Sequence, residues 1–291
     1  GENGITAPGA VNDILPTREV QGPFAYGFNL DGTQDGHATP KTCAHEKFNS
    51  PEGNVKVDHQ LYRATGCAQG MRTGGFQREW VAREFQTNPV NRTLILVTGV
   101  DDQRNDEEVL VSVYKGYDGL VEEPAGTFLP HSTHHVDERF PQALFSTSAT
   151  IRDGVITTDV VPLASFPVLW IQIVGWRRIR DMRMQLNLTE NGANGMVGGY
   201  EEIEGYWNMW RRGSSGSQDI SSWSGATIYQ AITQLADGYP DPATGRCTAI
   251  STAYRVEAVN ANIILPAVRV EPLRAGGDID THPARHELFG F

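Results

Sequence analysis

Side-chain oxygens recur at alternate positions in the stretch Gly27 to Gly36, GFNLDGTQDG: Asn29, Asp31, Thr33 and Asp35. A hard cation such as calcium takes about six to eight oxygens, and alternate residues of a tight loop direct theirs to one side. Counting from Asn29, oxygens fall at the first, third, fifth and seventh places, as in an EF-hand. The sixth place, however, is Gln34 instead of glycine, and the twelfth is Pro40 instead of glutamate. Two readings therefore stand. The stretch is a calcium turn of another kind, completed from elsewhere by Asp58, or it is an Asx-turn region whose Asn, Asp and Gly serve only the backbone.

Two other clusters invite the same question. The loop GVDDQRNDEEV gathers Asp101, Asp102, Asn105 and Asp106, which either enclose a cation or keep a connection wet; Arg104 in its middle favours the second. In HSTHH, His131, His134 and His135 offer three imidazoles, ligands suited to copper or zinc. Pro130 and Pro141 bracket them without a helix to fix their geometry, so a polar loop is the plainer reading. His282 and His286, spaced by four, are a weaker pair that a transition-metal site would draw on. Five aromatic residues, Tyr200, Tyr206, Trp207, Trp210 and Trp223, form either a contact face or core.

Other chemistry is excluded by motif. The chain has no HExxH, no GxSxG elbow, no P-loop and no GxGxxG, so a nucleotide cofactor is not expected. It has no CxxCH for haem attachment and no CxxC for a thiolate zinc site. Its three cysteines suit a disulfide instead. Cys43 and Cys67, flanking a turn-rich segment, are the expected pair, worth roughly 3 kcal/mol in the chain-entropy model. Cys247 is then the odd one out, a buried thiol unless Cys43 and Cys67 are not each other's partners.

The elements that must position these groups are mostly strands. EEVLVSVYKG alternates Val109, Val111 and Val113 with polar residues, a half-buried strand, and RTLILVTGV is a short run of buried-strand type. ATIRDGVITTDVV reads as a hairpin turning at Asp153-Gly154. The longest apolar run, Phe166 to Trp176, is about half the ~20 residues of a membrane span and reads as a buried strand. VLWIQIVGWRRIRDMRMQLNLTENG supplies one or two strands, and TAISTAYRVEAVNANII another pair. Helices are few: FQREWVAREF, YEEIEGYWNMWRR and SGATIYQAITQLADGYP. The last carries the stripe Ile228, Ala231, Ile232 and Leu235, with Gly238 as its C-terminal cap.

This pattern predicts a mainly β protein: a single β-sandwich of jelly-roll type over residues 25–265, with a few inserted helices. Extended arms flank it at 1–24 and 266–291. Arms of this composition are ordered only when tied down, so they are expected to wrap the body or dock on a protein partner or a second copy. With 24 basic against 35 acidic residues the net charge is −11, which argues against nucleic acid or an anionic membrane as the main partner. The chain begins at Gly1 without an initiator Met or apolar leader, as a mature exported protein does; a trimmed chain is the alternative.

Four segments, YGFNLDG, SPEGNVKVDHQL, LVTGVDDQRNDEEVLVSVY and LADGYPDPATGRCTAIST, resemble a group of uncharacterised exported bacterial proteins, many of them lipoproteins. A DLDG-like start, a Pro-Asp-Gly turn, an IDNQ-like element and a late cysteine recur in that group. The resemblance runs from about Tyr26 to Pro266. Asn29 stands where the group tends to have Asp, and His59 where it tends to have Asn, and both changes weaken a calcium site. The resemblance implies export, to the periplasm or cell surface, and a single fold. It carries over no catalytic residue. The expectation is thus a non-catalytic structural or binding subunit of an envelope assembly, stabilised by a disulfide and with calcium as candidate cofactor. The alternative is a histidine-liganded transition-metal protein or metal-dependent enzyme.

Overall fold

The protein is described by a computed structural model that covers residues 19–53, 55–67, 92–123, 128–169, 174–212 and 225–266. The helix expected in FQREWVAREF, most of both arms, Trp223, His282 and His286 lie outside these residues. The fold is mainly β, sandwich-like, with one large antiparallel sheet and few helices.

The strands of the large sheet are β3 (Thr93–Thr98), β4 (Asp106–Lys115), β6 (Phe145–Arg152), β7 (Val155–Thr158), β8 (Val161–Leu169), β9 (Val174–Thr189), β10 (Gly192–Glu202), β11 (Gly238–Pro240) and β12 (Cys247–Val259). They lie in the order β11-β12-β10-β9-β7-β6-β4-β3, with β8 beside the first half of β9. Spatial neighbours are near neighbours in sequence, so the sheet is laid down largely as a meander. Outside it, β1 (Phe48–Asn49) pairs with β2 (Lys56–Val57), and β5 (Ser132–His135) pairs in parallel with β13 (Ala261–Ile264).

The period-two pattern of β4 does what it predicts. Val109, Val111 and Val113 are buried with Ile151, Ile156, Met184 and Leu186 in one core cluster, each such side chain contributing roughly 1.5–3 kcal/mol on burial. The β6–β7 turn is made by Asp153 at φ 50° and Gly154 at φ 79°. Two successive positive φ values match the right-handed twist of the flanking strands, and Asp-Gly supplies both. The run from Phe166 to Trp176 is not one strand: it is where β8 and β9 face each other, Pro167 opposite Trp176. Hydropathy alone does not distinguish one apolar strand from two that meet. TAISTAYRVEAVNANII does hold two strands, β12 and β13, which pair with other strands and not with each other: β12 runs between β10 and β11, and β13 leaves the sheet for β5.

The helices α1 (Gln60–Thr65), α2 (Ile203–Arg212) and α3 (Gly225–Gln234) pack with β12 around a second core. The stripe read from the sequence, Ile228, Ala231, Ile232 and Leu235, lies inside it with Leu61, Ala64, Ile203 and Tyr206. Gly238 does not cap α3: it opens β11 opposite Ala249, and the Tyr200 ring occupies the space a side chain there would need. Tyr200 and Tyr206 are core residues, and Trp207 packs on Tyr229 with ring centroids 5.3 Å apart.

The disulfide joins Cys43 to Cys247, not to Cys67, with Cα atoms 6.1 Å apart. Backbone pairing explains the choice. Tyr239 N–H donates to Lys41 O at 2.7 Å and Cys43 N–H to Asp237 O at 2.9 Å, so residues 41–43 run along β11. Because Pro240 of β11 lies opposite Cys247 of β12, the two sulfurs meet. Cys67, just beyond α1, has its sulfur 3.7 Å from Glu19 O.

Candidate functional site: a buried ammonium among side-chain oxygens

The stretch 27–36 is held in place before any side chain acts. Asp58 N–H donates to Phe28 O at 2.8 Å, and Arg183 of β9 donates to Asn29 O and Leu30 O at 2.9 and 3.0 Å. Within the turn, Gly32 N–H donates to Asn29 Oδ1 at 2.9 Å, and Asn29 Nδ2 to Thr33 O at 2.8 Å. These are Asx-type contacts. Gly36 closes the stretch at φ 71°, and its carbonyl accepts from His45 N–H at 3.0 Å. A Cβ there would lie 2.0 Å from His45 O, so only glycine lets the two segments come this close. That approach delivers Lys47.

The oxygens do converge on a cation, and the cation belongs to the chain. Lys47 Nζ donates to Asn29 Oδ1 at 2.9 Å, to Asp58 Oδ2 at 3.0 Å and to Asp31 Oδ1, and lies 2.9 Å from Asp58 Oδ1. The side chains of Lys47, Asp31 and Asp58 are 2%, 6% and 5% exposed. Three of the five residues singled out as ligands thus come together. Thr33 is in the next layer, its N–H donating to Asp31 Oδ1 at 2.8 Å and its hydroxyl to both Asp31 oxygens at 3.0 and 3.1 Å. Asp35 turns outward and pairs with His37.

The two carboxyls beside Lys47 differ. Burial pushes Asp58 above the usual carboxylate range, and the Lys47 and Leu30 donors only partly offset it. For Asp31 burial pushes the same way, but the Lys47 and Thr33 donors outweigh it and the net shift is downward. Asp237 lies close enough to feel Asp58, and burial pushes it up to about 7 despite donation from Ser251. Burial, with the charges of Asp237, Asp58 and Asp31, raises the Tyr200 hydroxyl well above its ordinary value. One ammonium therefore faces two buried acids, Asp31 and Asp58, with a third, Asp237, near enough to Asp58 to feel its charge. Nothing in HEKF announces Lys47. Its role follows from chain closure at Gly36, which no local pattern encodes.

The acidic loop spends its carboxylates on its own backbone. Asp106 accepts from Asp101 N–H at 2.7 Å, Asp102 N–H at 3.4 Å and Glu108 N–H at 3.1 Å, and Asp102 accepts from Arg104 N–H at 2.8 Å. Asn105 Oδ1 and Arg104 O receive the N–H groups of Asp153 and Gly154, docking the loop on the β6–β7 turn.

Two of the three histidines, His134 and His135, lie in a strand and not a loop, and strand alternation separates them. His134 is buried and His135 exposed on the opposite face. His135 Nδ1 lies 2.9 Å from Asp118 Oδ2; His134 Nε2 lies 2.9 Å from Ser132 Oγ, and its buried Nδ1 has no hydrogen-bond partner. His131 stands at the turn with φ 60°. Among the described residues, no group of three or more His, Cys, Asp or Glu side chains is placed to hold a metal ion.

A polar network the sequence did not suggest is buried between β9, β10 and β12. Arg177 forms a two-point pair with Glu201, at 2.7 Å from Nε and 2.5 Å from Nη2, and Tyr254 donates to Glu201 Oε2 at 2.8 Å. Glu201 is 0% exposed and fully satisfied, a geometry that locks three strands together. No helix among the described residues is long and apolar enough to cross a membrane. No family model, curated protein or solved structure matches the chain.

Proposed function

We propose that the protein is a non-catalytic structural or binding subunit of an exported, envelope-associated assembly. The observation that carries this reading is the Cys43–Cys247 disulfide, which clasps the first part of the domain to β12. Such bonds persist in oxidising compartments. Two features support it. The positive charge that the oxygen-rich loop requires comes from Lys47, so the loop is stiff without calcium in this reading. The unit of β1, β2 and α1 also presents Phe24, Tyr26, Val55 and Tyr62 to solvent, apolar surface of the kind protein partners cover.

Isolation of the native protein from the cell envelope is expected to return a disulfide-bonded chain in a complex of fixed stoichiometry. The pair Phe24→Ser and Tyr26→Ser should weaken that complex without moving the unfolding midpoint. A lone, reduced chain recovered from the cytosol would overturn the reading. Added calcium or a chelator should leave the midpoint unchanged, and a calcium-dependent rise would return the loop to its first reading.

A further inference from the structure

We propose that Lys47 and Asp31 condense into an intramolecular isopeptide bond, with Asp58 as the proton carrier. The inference stands independently of the subunit role. It rests on an arrangement that contains each part of an amide-forming site. The nucleophile is Lys47 Nζ, in contact with Asp31 Oδ1 and held by Asn29 and Asp58. The electrophile is Asp31 Cγ, whose oxygens accept from Thr33 N–H at 2.8 Å and Thr33 Oγ1 at 3.0 and 3.1 Å. Those two donors are where the negative charge of a tetrahedral intermediate develops, and they are fixed in advance by the turn. The base is Asp58, with both oxygens within 3.0 Å of Nζ and its Oδ2 anchored by Leu30 N–H at 2.7 Å.

The step balances. Lys47 enters as an ammonium and Asp31 as a carboxylate, and one proton passes from nitrogen to Asp31 by way of Asp58. The neutral amine attacks Cγ, forming the N–C bond. A second nitrogen proton returns through Asp58 to the departing hydroxyl, the C–O bond breaks and water leaves. Nothing is oxidised or reduced, and the net charge of the group is unchanged. The product replaces a desolvated ion pair, whose burial is costly, by a neutral amide. Orientation supplies what two side chains in water lack, because the reacting groups are held together by the fold. Proximity to the buried carboxyl of Asp58, which burial shifts toward its protonated form, keeps a proton available at the site.

The decisive measurement is the intact mass of the fully reduced wild-type chain, followed by proteolysis and peptide sequencing. The expected mass is one water below that of the sequence, with a branched peptide joining Lys47 to Asp31. Asp58→Asn, which keeps the shape of the side chain, is expected to return the full mass in a chain that still folds by near-ultraviolet circular dichroism. A wild-type chain at full mass, with Lys47 and Asp31 in separate peptides, overturns the inference without reference to any variant. Loss of one ammonia instead, with a branch at Asn29, overturns the assignment to Asp31.

Discussion

Two lysines are buried in this molecule, and their surroundings make them different groups. Lys47 has an amide oxygen and two carboxylates aimed at its nitrogen. Lys115, at the end of β4, is 3% exposed, and the acid beside it is already engaged: Arg139 holds Asp137 with Nε at 2.9 Å and Nη2 at 2.7 Å. Burial, with Arg139 and Arg92 adding repulsion against the attraction of Asp137, pushes the Lys115 amine down to about 8. A buried lysine thus becomes an internal counter-ion where oxygens converge, and an easily discharged amine where another cation has claimed them.

Substitution by methionine separates the two most sharply. Lys47→Met removes the nitrogen that serves these oxygens, whether as counter-ion or in the bond to Asp31, and leaves two buried carboxyls facing each other, so equilibrium unfolding should show a loss of about 3–5 kcal/mol. Lys115→Met leaves the Asp137–Arg139 pair intact and should change stability by less than about 1 kcal/mol in either direction. Equal losses would break the distinction. The wild-type pH profile tests the same point. Between about pH 8 and the ordinary lysine range, the unfolded chain holds a proton at Lys115 that the native state does not. Stability from this group therefore rises with pH across that window, and Lys115→Met should abolish the rise.

Opening the clasp is next in size. Cys247→Ser should cost about 2–4 kcal/mol in thermal or denaturant unfolding. If residues 36–47 depend on it for their course, the variant should also raise hydrogen exchange at His45, whose N–H closes the Lys47 loop on Gly36.

A carboxyl with no ammonium of its own gives the intermediate case. Asp237, pushed up to about 7 by burial, is protonated in the native state between roughly pH 4 and 7, while the unfolded chain is ionised. The native state holds the extra proton, so stability falls as pH rises through that window and stays low above it. Asp237→Asn should therefore stabilise by on the order of 1 kcal/mol at pH 8 and by much less at pH 5. The smallest effect belongs to Asp35, which the spacing groups with the cation ligands but the fold turns outward. Asp35→Ala should move stability by less than about 0.5 kcal/mol.

What could be read from the sequence divides along the same line as local and distant contacts. The alternation in β4, the Asp153-Gly154 turn and the Ile228–Leu235 stripe are set by neighbours a few residues away, and each takes the predicted form. The alternate oxygens of Asn29, Asp31, Thr33 and Asp35 were legible as a local pattern that fits either a calcium turn or an Asx turn. Lys47 was not, since its place depends on Gly36 reaching His45. The cysteine pairing failed for the same reason: closeness in sequence favoured Cys67, whereas strand pairing at β11 brings up Cys247. α1 is only six residues long, too short for a periodic stripe to announce it.

The position of the Cys43–Cys247 bond also has a mechanical consequence. Tension applied between the two ends of the chain runs through the bond, so the eight strands of the large sheet that lie between Cys43 and Cys247 stay off the backbone load path while the bond is intact, and only β12, beyond Cys247, is pulled directly. Reduction would release the enclosed span, 204 residues in separation, as roughly 700 Å of extensible chain. In a single-molecule pulling experiment the oxidised protein should stretch briefly and stop. Added reductant should convert that stop into one long extension, as a fuse does when it opens.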